Sequence, residues 1–404
     1  MNILYLCHRI PYPPNKGDKI RAFHQLKALG QEHRVDLFSL ADDVEDAAGH
    51  PELERHCRQV VVSRLDRRVA RWRALPYLAT RKPLTLPYFC SGELTQRIRD
   101  AIRLRKYDRI FVYCSAMFQY VERLMDIPLI ADLVDVDSDK WKQYAQRTSL
   151  PARWVYGREA VRLREYEAKV CRRADCVLVA TACEAELLRG ISPRANVHVV
   201  GNGVDADYFQ LRPSAAGRRE PAIVFTGDMR YFPNEEAVMF FAGRVLPLIR
   251  SAIPEVHFLI VGRDPTPRVK RLAAIAGVEV TGYVPDIREY LAQAQVAVAP
   301  FTIAAGIQNK VLEALASGIP VVATSSVVKG LSGSVADIIQ TGNSPEALAV
   351  SVVRLLREPR FAEEVGIEGR RRVLEEYSWS RWDQRLLALV REPKRPVHRR
   401  HGGT

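Results

Sequence analysis

Short apolar runs alternate with amphipathic stretches along most of the chain. Asn2-Ile3-Leu4-Tyr5-Leu6 is followed, after a polar loop, by Ile20, Phe23, Leu26 and Leu29 at helical spacing, which predicts strand, loop and helix in that order. Further runs at Val35–Phe38, Val60–Val62, Ile110–Tyr113, Leu129–Ala131 and Cys176–Val179 are mostly separated by helical patterns. Such alternation predicts a doubly wound parallel sheet. After the polar, proline-containing stretch Leu211–Pro221 the pattern restarts with Ile223–Gly227, Val256–Gly262, Val278–Val280, Val296–Ala299 and Pro320–Ala323. The economical α/β architecture is therefore two Rossmann-like domains facing a central cleft. Ligands of such sheets bind outside the carboxyl ends of the strands, which singles out the loops after Gly227, Gly262 and Pro300.

Composition narrows the class. With 404 residues, 47% hydrophobic and 26% charged, the chain has ample apolar surface to bury and is too long for one ordinary core. No run approaches the ~18 apolar residues of a membrane-spanning helix, and MNILYLCHRIPYPP lacks the pattern of a signal peptide, so a cytoplasmic location is expected. Seven scattered cysteines without a CxxC pair indicate buried free thiols in place of a disulfide framework or a zinc site. The formal charge of +13 is unevenly spread: residues 51–110 hold 15 basic and 6 acidic residues, whereas residues 201–377 hold 19 and 20. An anionic partner is expected on the basic segment.

Neither GxGxxG, a P-loop nor HExxH occurs, so dehydrogenase, P-loop ATPase and zincin chemistry lose their main support. The block from Pro300 to Pro320 offers a strand end, the small residues Ala304, Ala305 and Gly306, and then a helix. Small residues let the backbone approach a ligand, and the helix start presents unpaired N–H groups and a positive dipole end, which outlines a phosphate site. Ile307, Val311, Leu312 and Leu315 form the buried face, while Asn309 and Glu313 lie on another with Lys310 adjacent. Taken alone, Lys310 and Glu313 also fit an i,i+3 surface ion pair.

The segment Gly306-Ile307-Gln308-Asn309-Lys310-Val311-Leu312-Glu313-Ala314-Leu315-Ala316-Ser317-Gly318-Ile319-Pro320, with Asn202-Gly203-Val204-Asp205, resembles retaining glycosyltransferases of family 4, which have the GT-B fold. Arg9-Ile10-Pro11-Tyr12-Pro13-Pro14-Asn15-Lys16-Gly17-Asp18 and Asp135-Val136-Asp137-Ser138-Asp139-Lys140-Trp141 resemble the subgroup associated with exosortase (PEP-CTERM) and exopolysaccharide gene clusters. The resemblance implies an N-terminal acceptor-side domain (1–205) and a C-terminal nucleotide-sugar domain (206–377). It also implies a helix crossing back (378–393), with Trp379 as an anchor, before a basic tail (394–404).

By the same resemblance Glu313 matches the second glutamate of the EX7E motif, which holds the donor ribose, and Ala305 replaces the first. The backbone around Gly306 and Ile307 is expected to bind the diphosphate. After Gly227 the usual Arg and Lys positions hold Asp228 and Pro233, so Arg230, Arg263 and Lys310 become the cationic candidates for the leaving group. Tyr283 and Val284 correspond to the nucleobase lid, and Gly17 to the glycine-rich loop of the first domain. Asp135 stands in place of the histidine near the donor sugar; a helix-capping or turn role fits it equally. The candidate catalytic residues are thus Glu313, Lys310, Arg230 and Asp135. Gly17, Gly227, Arg263, Tyr283, Val284, Gly306, Ile307, Asn309, Lys310 and Glu313 are the donor-binding candidates.

The expected reaction moves a sugar from a UDP- or GDP-linked donor, as co-substrate, to a glycan or polyprenyl-linked acceptor in exopolysaccharide biosynthesis, without metal or other cofactor. Asp135, Asp137 and Asp139 invite comparison with the metal-binding DxD of GT-A enzymes, a comparison that the GT-B resemblance makes unnecessary. In the basic segment, Leu65, Val69, Trp72 and Leu75 fall on one helical face among arginines. Such a helix suits an anionic bilayer, and hence a peripheral position on the inner face of the cytoplasmic membrane; the same stripe also fits packing on the sheet. No nucleic-acid motif accompanies it. Two rival functions fit the same fold, a nucleotide-sugar epimerase and a catalytically lapsed membrane-surface scaffold.

Overall fold

The computed structural model describes residues 1–14, 17–41, 51–210, 221–302 and 306–392. It divides into two compact units, Met1–Val200 with Asp383–Thr404, and Gly201–Trp382. Ala304, Ala305 and the basic tail lie outside the described residues.

The first unit is built on β1 (Asn2–Cys7), β2 (Arg34–Ala41), β3 (Gln59–Arg64), β4 (Arg109–Tyr113), β5 (Leu129–Val134), β6 (Cys176–Val179) and β7 (Val197–Val199). They pair in the order β3-β2-β1-β4-β5-β6-β7, and every pairing is parallel. Strands covered on both faces read as near-continuous apolar runs, and Ile3, Leu4, Tyr5 and Leu6 are fully buried. Two carboxylates interrupt this core. Asp36, at the amino end of β2, accepts from Arg58 at 2.8 and 2.7 Å and from the Tyr107 hydroxyl at 2.6 Å. Burial opposes its charge, yet Arg58 and Tyr107 hold its carboxyl below the usual range. Asp132, near the carboxyl end of β5, accepts from Arg21 at 2.8 Å and Gln25 at 2.5 Å.

The second unit contains β8 (Ala222–Thr226), β9 (His257–Val261), β10 (Val278–Gly282), β11 (Val296–Ala299), β12 (Val321–Ala323) and β13 (Gln340–Thr341), in the order β10-β9-β8-β11-β12-β13. All its pairings are parallel as well. The sequence pattern missed β7 and β13, which have three and two residues, too few for a visible periodicity. The motif Asn202-Gly203-Val204 packs against the start of the helix Trp379–Arg391, whose first residues, to Trp382, belong to this unit. A Cβ on Gly203 would lie 2.5 Å from the Trp379 ring, and one on Gly201 2.7 Å from Trp382. Only glycine leaves room there for the indoles.

Two expectations need correction. Cys7, Cys57, Cys171 and Cys176 are buried free thiols, but Cys90 and Cys114 are partly exposed and Cys183 is exposed. The stripe Leu65, Val69, Trp72 and Leu75 does not act as one face: the helix covers only Arg67–Ala74. Leu65 precedes it and is buried, whereas the other three point to solvent. No helix among the described residues is long and apolar enough to cross a membrane.

Candidate functional site

The strand order of the second unit reverses between β8 and β11, and the loops diverging from such a point leave a crevice. Here the loop after β8 begins at Gly227 and the loop after β9 at Gly262. Both have positive φ, 157° and 149°. A Cβ on Gly262 would stand 1.7 Å from the Gly227 carbonyl oxygen, and one on Gly227 2.7 Å from the Lys310 Nζ. These glycines let the two loops touch and bring a lysine against the backbone.

Lys310 lies in the first turn of the helix Asn309–Ala316. Its Nζ donates to the Asn234 Oδ1 at 2.7 Å and stands 4.1 Å from the Phe225 ring centroid and 4.8 Å from that of Phe301. Aromatic faces attract a cation without neutralising it. Burial pushes the ammonium down to about 7, with Glu313 opposing. One turn further, burial pushes the Glu313 carboxyl up to about 7, with Lys310 opposing. No ion pair joins the two, and among the described residues the Glu313 carboxylate has no hydrogen-bond partner. The surface-pair reading of Lys310 and Glu313 therefore fails.

Gly306 precedes this helix with a φ of 62°, and its carbonyl oxygen would lie 2.5 Å from a Cβ on Gly330. No side-chain hydrogen bond caps the helix start at Gln308, and the dipole of a helix start favours an anion. Asn309 accepts from the Asn202 Nδ2 at 2.9 Å, which ties the Asn202-Gly203 motif to the same helix. Ile307 packs against the core.

The other two cationic candidates are placed differently. Arg230 pairs with Asp264 at 2.8 Å and Arg263 with Asp228 at 3.2 Å; Arg263 Nη2 is buried and unpartnered. Carboxylates thus hold both guanidiniums, and among the described residues Lys310 alone of the three candidates has no acidic partner. Tyr283 and Val284 follow β10 at the sheet edge; Tyr283 is 75% exposed and Val284 packs on the core.

In the first unit, Gly17 opens the helix Gly17–Glu32. The next residue, Asp18, accepts from Arg9 at 2.7 Å and lies 3.5 Å from the His8 Nε2. Burial opposes the charge of Asp18, but His8 and Arg9 hold its carboxyl far below the usual range. Asp135 follows Val134, whose φ is 63°. Burial raises its carboxyl, Lys140 opposes, and Asp137 adds to the rise.

Asp135 does not cap the next helix. Glu184 accepts from Val136 N at 2.6 Å and Glu167 from Ser138 N at 3.0 Å, and burial pushes both carboxyls up to about 8. Among the described residues no group of three His, Cys, Asp or Glu could hold a metal ion. Sequence reasoning missed His8, Asn234 and the pair Phe225 and Phe301. Asn234 is 76 positions from Lys310, and no local pattern joins them.

Two family profiles match adjacent parts of the chain, "Glycosyl transferase 4-like domain" over residues 21–203 and "Glycosyl transferases group 1" over residues 220–358. Both profiles describe glycosyltransferase domains, one in each half of the chain. The chain is 30% identical over 245 residues to the GDP-mannose-dependent alpha-(1-6)-phosphatidylinositol monomannoside mannosyltransferase of Mycolicibacterium smegmatis, a match covering 54% of the chain and 62% of that protein. It is 26% identical to the phosphatidyl-myo-inositol mannosyltransferase of Propionibacterium freudenreichii subsp. shermanii, covering 55% and 57%. The chain thus spans about three fifths of the length of the curated relatives it matches.

Among solved structures it is similar to sucrose-phosphate synthase from Thermosynechococcus elongatus, with TM-score 0.71, 21% identity and coverage of 97% and 98%. Anabaena Alr3699/HepE in complex with UDP and glucose gives TM-score 0.67 and 16% identity, covering 96% and 99%. At these identities the likeness shows the fold, which is that of GT-B glycosyltransferases.

Proposed function

We propose that the chain is a retaining glycosyltransferase that needs no metal and moves a sugar from a UDP- or GDP-linked donor to a glycan or polyprenyl-linked acceptor in exopolysaccharide biosynthesis. The observation that carries this reading is Lys310, which has no acidic partner among the described residues and is held by Asn234 and two aromatic faces in the first turn of its helix.

Breaking the bond from the sugar's anomeric carbon to the diphosphate leaves negative charge on the departing oxygens. Lys310 and the positive dipole end of its helix are oriented in advance for that charge, with the buried Arg263 Nη2 as a further donor. Glu313, one turn along the same helix, accepts from the ribose hydroxyls. The acceptor oxygen attacks the anomeric carbon from the face the diphosphate leaves, and its proton passes to the diphosphate. Configuration is retained. Among the relatives, two are named for phosphatidylinositol-linked acceptors and one for GDP-mannose, which supports a lipid-linked acceptor and includes GDP among the donors to try.

Calorimetric titration with UDP, GDP and their sugar conjugates, with and without EDTA, tests the donor site. A ligand at about 100 times its Kd should raise stability by about 2.7 kcal/mol. An EDTA-insensitive response to one nucleotide is expected, and proton NMR of the product should show the donor's anomeric configuration. Conversion of the donor sugar without acceptor would assign an epimerase instead. Absence of any response would favour the lapsed scaffold, for which the pairing of Arg230 and Arg263 with Asp264 and Asp228 is the structural argument.

A further inference from the structure

The helix Arg67–Ala74 is seated by its smallest residues. Ala70 and Ala74 are buried, while Val69, Trp72 and Leu75 are 57%, 74% and 49% exposed. At about 100° per residue, Trp72 lies on the side opposite Ala70. An amphipathic helix normally buries its large apolar residues and turns small or polar ones outward; this one does the reverse. Arg64, Arg68 and Arg71 are exposed around the same outward face.

A second element also exposes an indole among basic residues. The stretch Tyr77–Thr85 that follows is tied to the helix Ala152–Arg173. Arg158 donates to the carbonyls of Tyr77 at 2.6 Å and Lys82 at 3.1 Å, and Glu159 accepts from the backbone N–H of Leu84 at 2.7 Å and Thr85 at 2.9 Å. One turn before Arg158, Trp154 is 57% exposed beside the exposed Arg153, and Leu150 is 75% exposed. Arg81 and Lys82, on the tied stretch, are exposed too.

We infer that this face of the first unit docks on an anionic lipid bilayer. Indole rings favour the headgroup boundary, where an apolar body and a polar edge are both accommodated. Guanidiniums around them meet anionic headgroups, and no acidic residue occurs between Arg67 and Lys82. The charge explains the choice of partner: a second copy of the chain would bring the same arginines face to face. The inference stands apart from the nucleotide chemistry, because it concerns a different surface and is read without substrate.

The test is flotation of the full chain with vesicles of phosphatidylcholine alone and of phosphatidylcholine with phosphatidylglycerol, at low and high salt. Binding is expected only with the anionic vesicles and should weaken at high salt. Trp72→Ser, and Arg68→Glu combined with Arg71→Glu, should each lower the vesicle-bound fraction at least about fivefold. Both should leave the thermal transition in place, since the altered side chains are exposed. No binding to anionic vesicles, or binding that neither change weakens, would overturn the inference. So would an RNA homopolymer or a self-associated chain that loses binding in these variants while vesicles are ignored; either would give the face to another partner.

Discussion

The two parallel sheets reverse strand order in the same way, at β1 against β4 and at β8 against β11, but the groups gathered there differ in kind. In the first unit the cations Arg21 and Arg9 are already matched, by Asp132 and Asp18. In the second, two arginines are matched by Asp228 and Asp264 while Lys310 is left to an amide and two rings. Topology places a crevice in each sheet, and charge pairing decides what that crevice can hold. A cation whose pairing is incomplete retains the capacity to meet an incoming anion.

The sharpest way to break this contrast is to remove one cation from each unit. Arg21 is almost fully buried and Asp132 fully so, so Arg21→Met would leave a carboxylate uncompensated in the core. The expected cost is about 3–5 kcal/mol, read as a loss of unfolding free energy in denaturant. Lys310→Met strands no carboxylate. Its unfolding free energy should fall by less than about 1 kcal/mol, or rise, whereas nucleoside-diphosphate affinity measured by calorimetry should drop about 10–100-fold, the range for a lost hydrogen bond to a charged group. Equal stability losses in the two variants would erase the distinction.

Glu313→Ala sharpens it within one helix. Among the described residues the carboxylate has no hydrogen-bond partner to strand, so folding should be untouched while sugar transfer falls at least about tenfold, about 1.4 kcal/mol in the barrier. Transfer at the unaltered rate would remove Glu313 from the site.

How far the sequence carried this picture depends on the range of the interaction. Eleven strands could be seen because a parallel strand buried on both faces is a continuous apolar run, as Ile3–Leu6 and Val296–Ala299 show. The phosphate-binding outline was visible because Gly306, Asn309, Lys310 and Glu313 are neighbours on one loop and helix. The pairing of Arg230 and Arg263 with acids was not, since it joins the loops after β8 and β9, some 35 residues apart. Nor could spacing reveal Asn234 or the two rings around Lys310. Asp132 did leave a local sign, an acid inside the apolar run Leu129–Val134; a carboxylate there demands a buried partner. That the stripe Val69, Trp72 and Leu75 faces outward was equally hidden, because periodicity identifies a face without saying what covers it.

The smallest expected effect, less than one proton per site, is also the most diagnostic of how Lys310 and Glu313 share the work. In the free protein burial brings Lys310 down from 10.5 to about 7 and Glu313 up from 4.5 to about 7. The unfolded chain therefore holds more protons on Lys310 between about 7 and 10.5, where its contribution to stability rises with pH. The folded chain holds more on Glu313 between 4.5 and about 7, where its contribution falls as pH rises. Together they contribute least near neutrality. A bound diphosphate favours protonated Lys310, so binding at about pH 8 should take up protons. Ribose hydroxyls donating to Glu313 favour its ionised form, so binding at about pH 6 should release them. Calorimetric heats in buffers of different ionisation enthalpy give both numbers. Lys310→Met should abolish the uptake alone and Glu313→Ala the release alone; uptake at both pH values would mean that Glu313 meets the phosphates and does not hold the ribose.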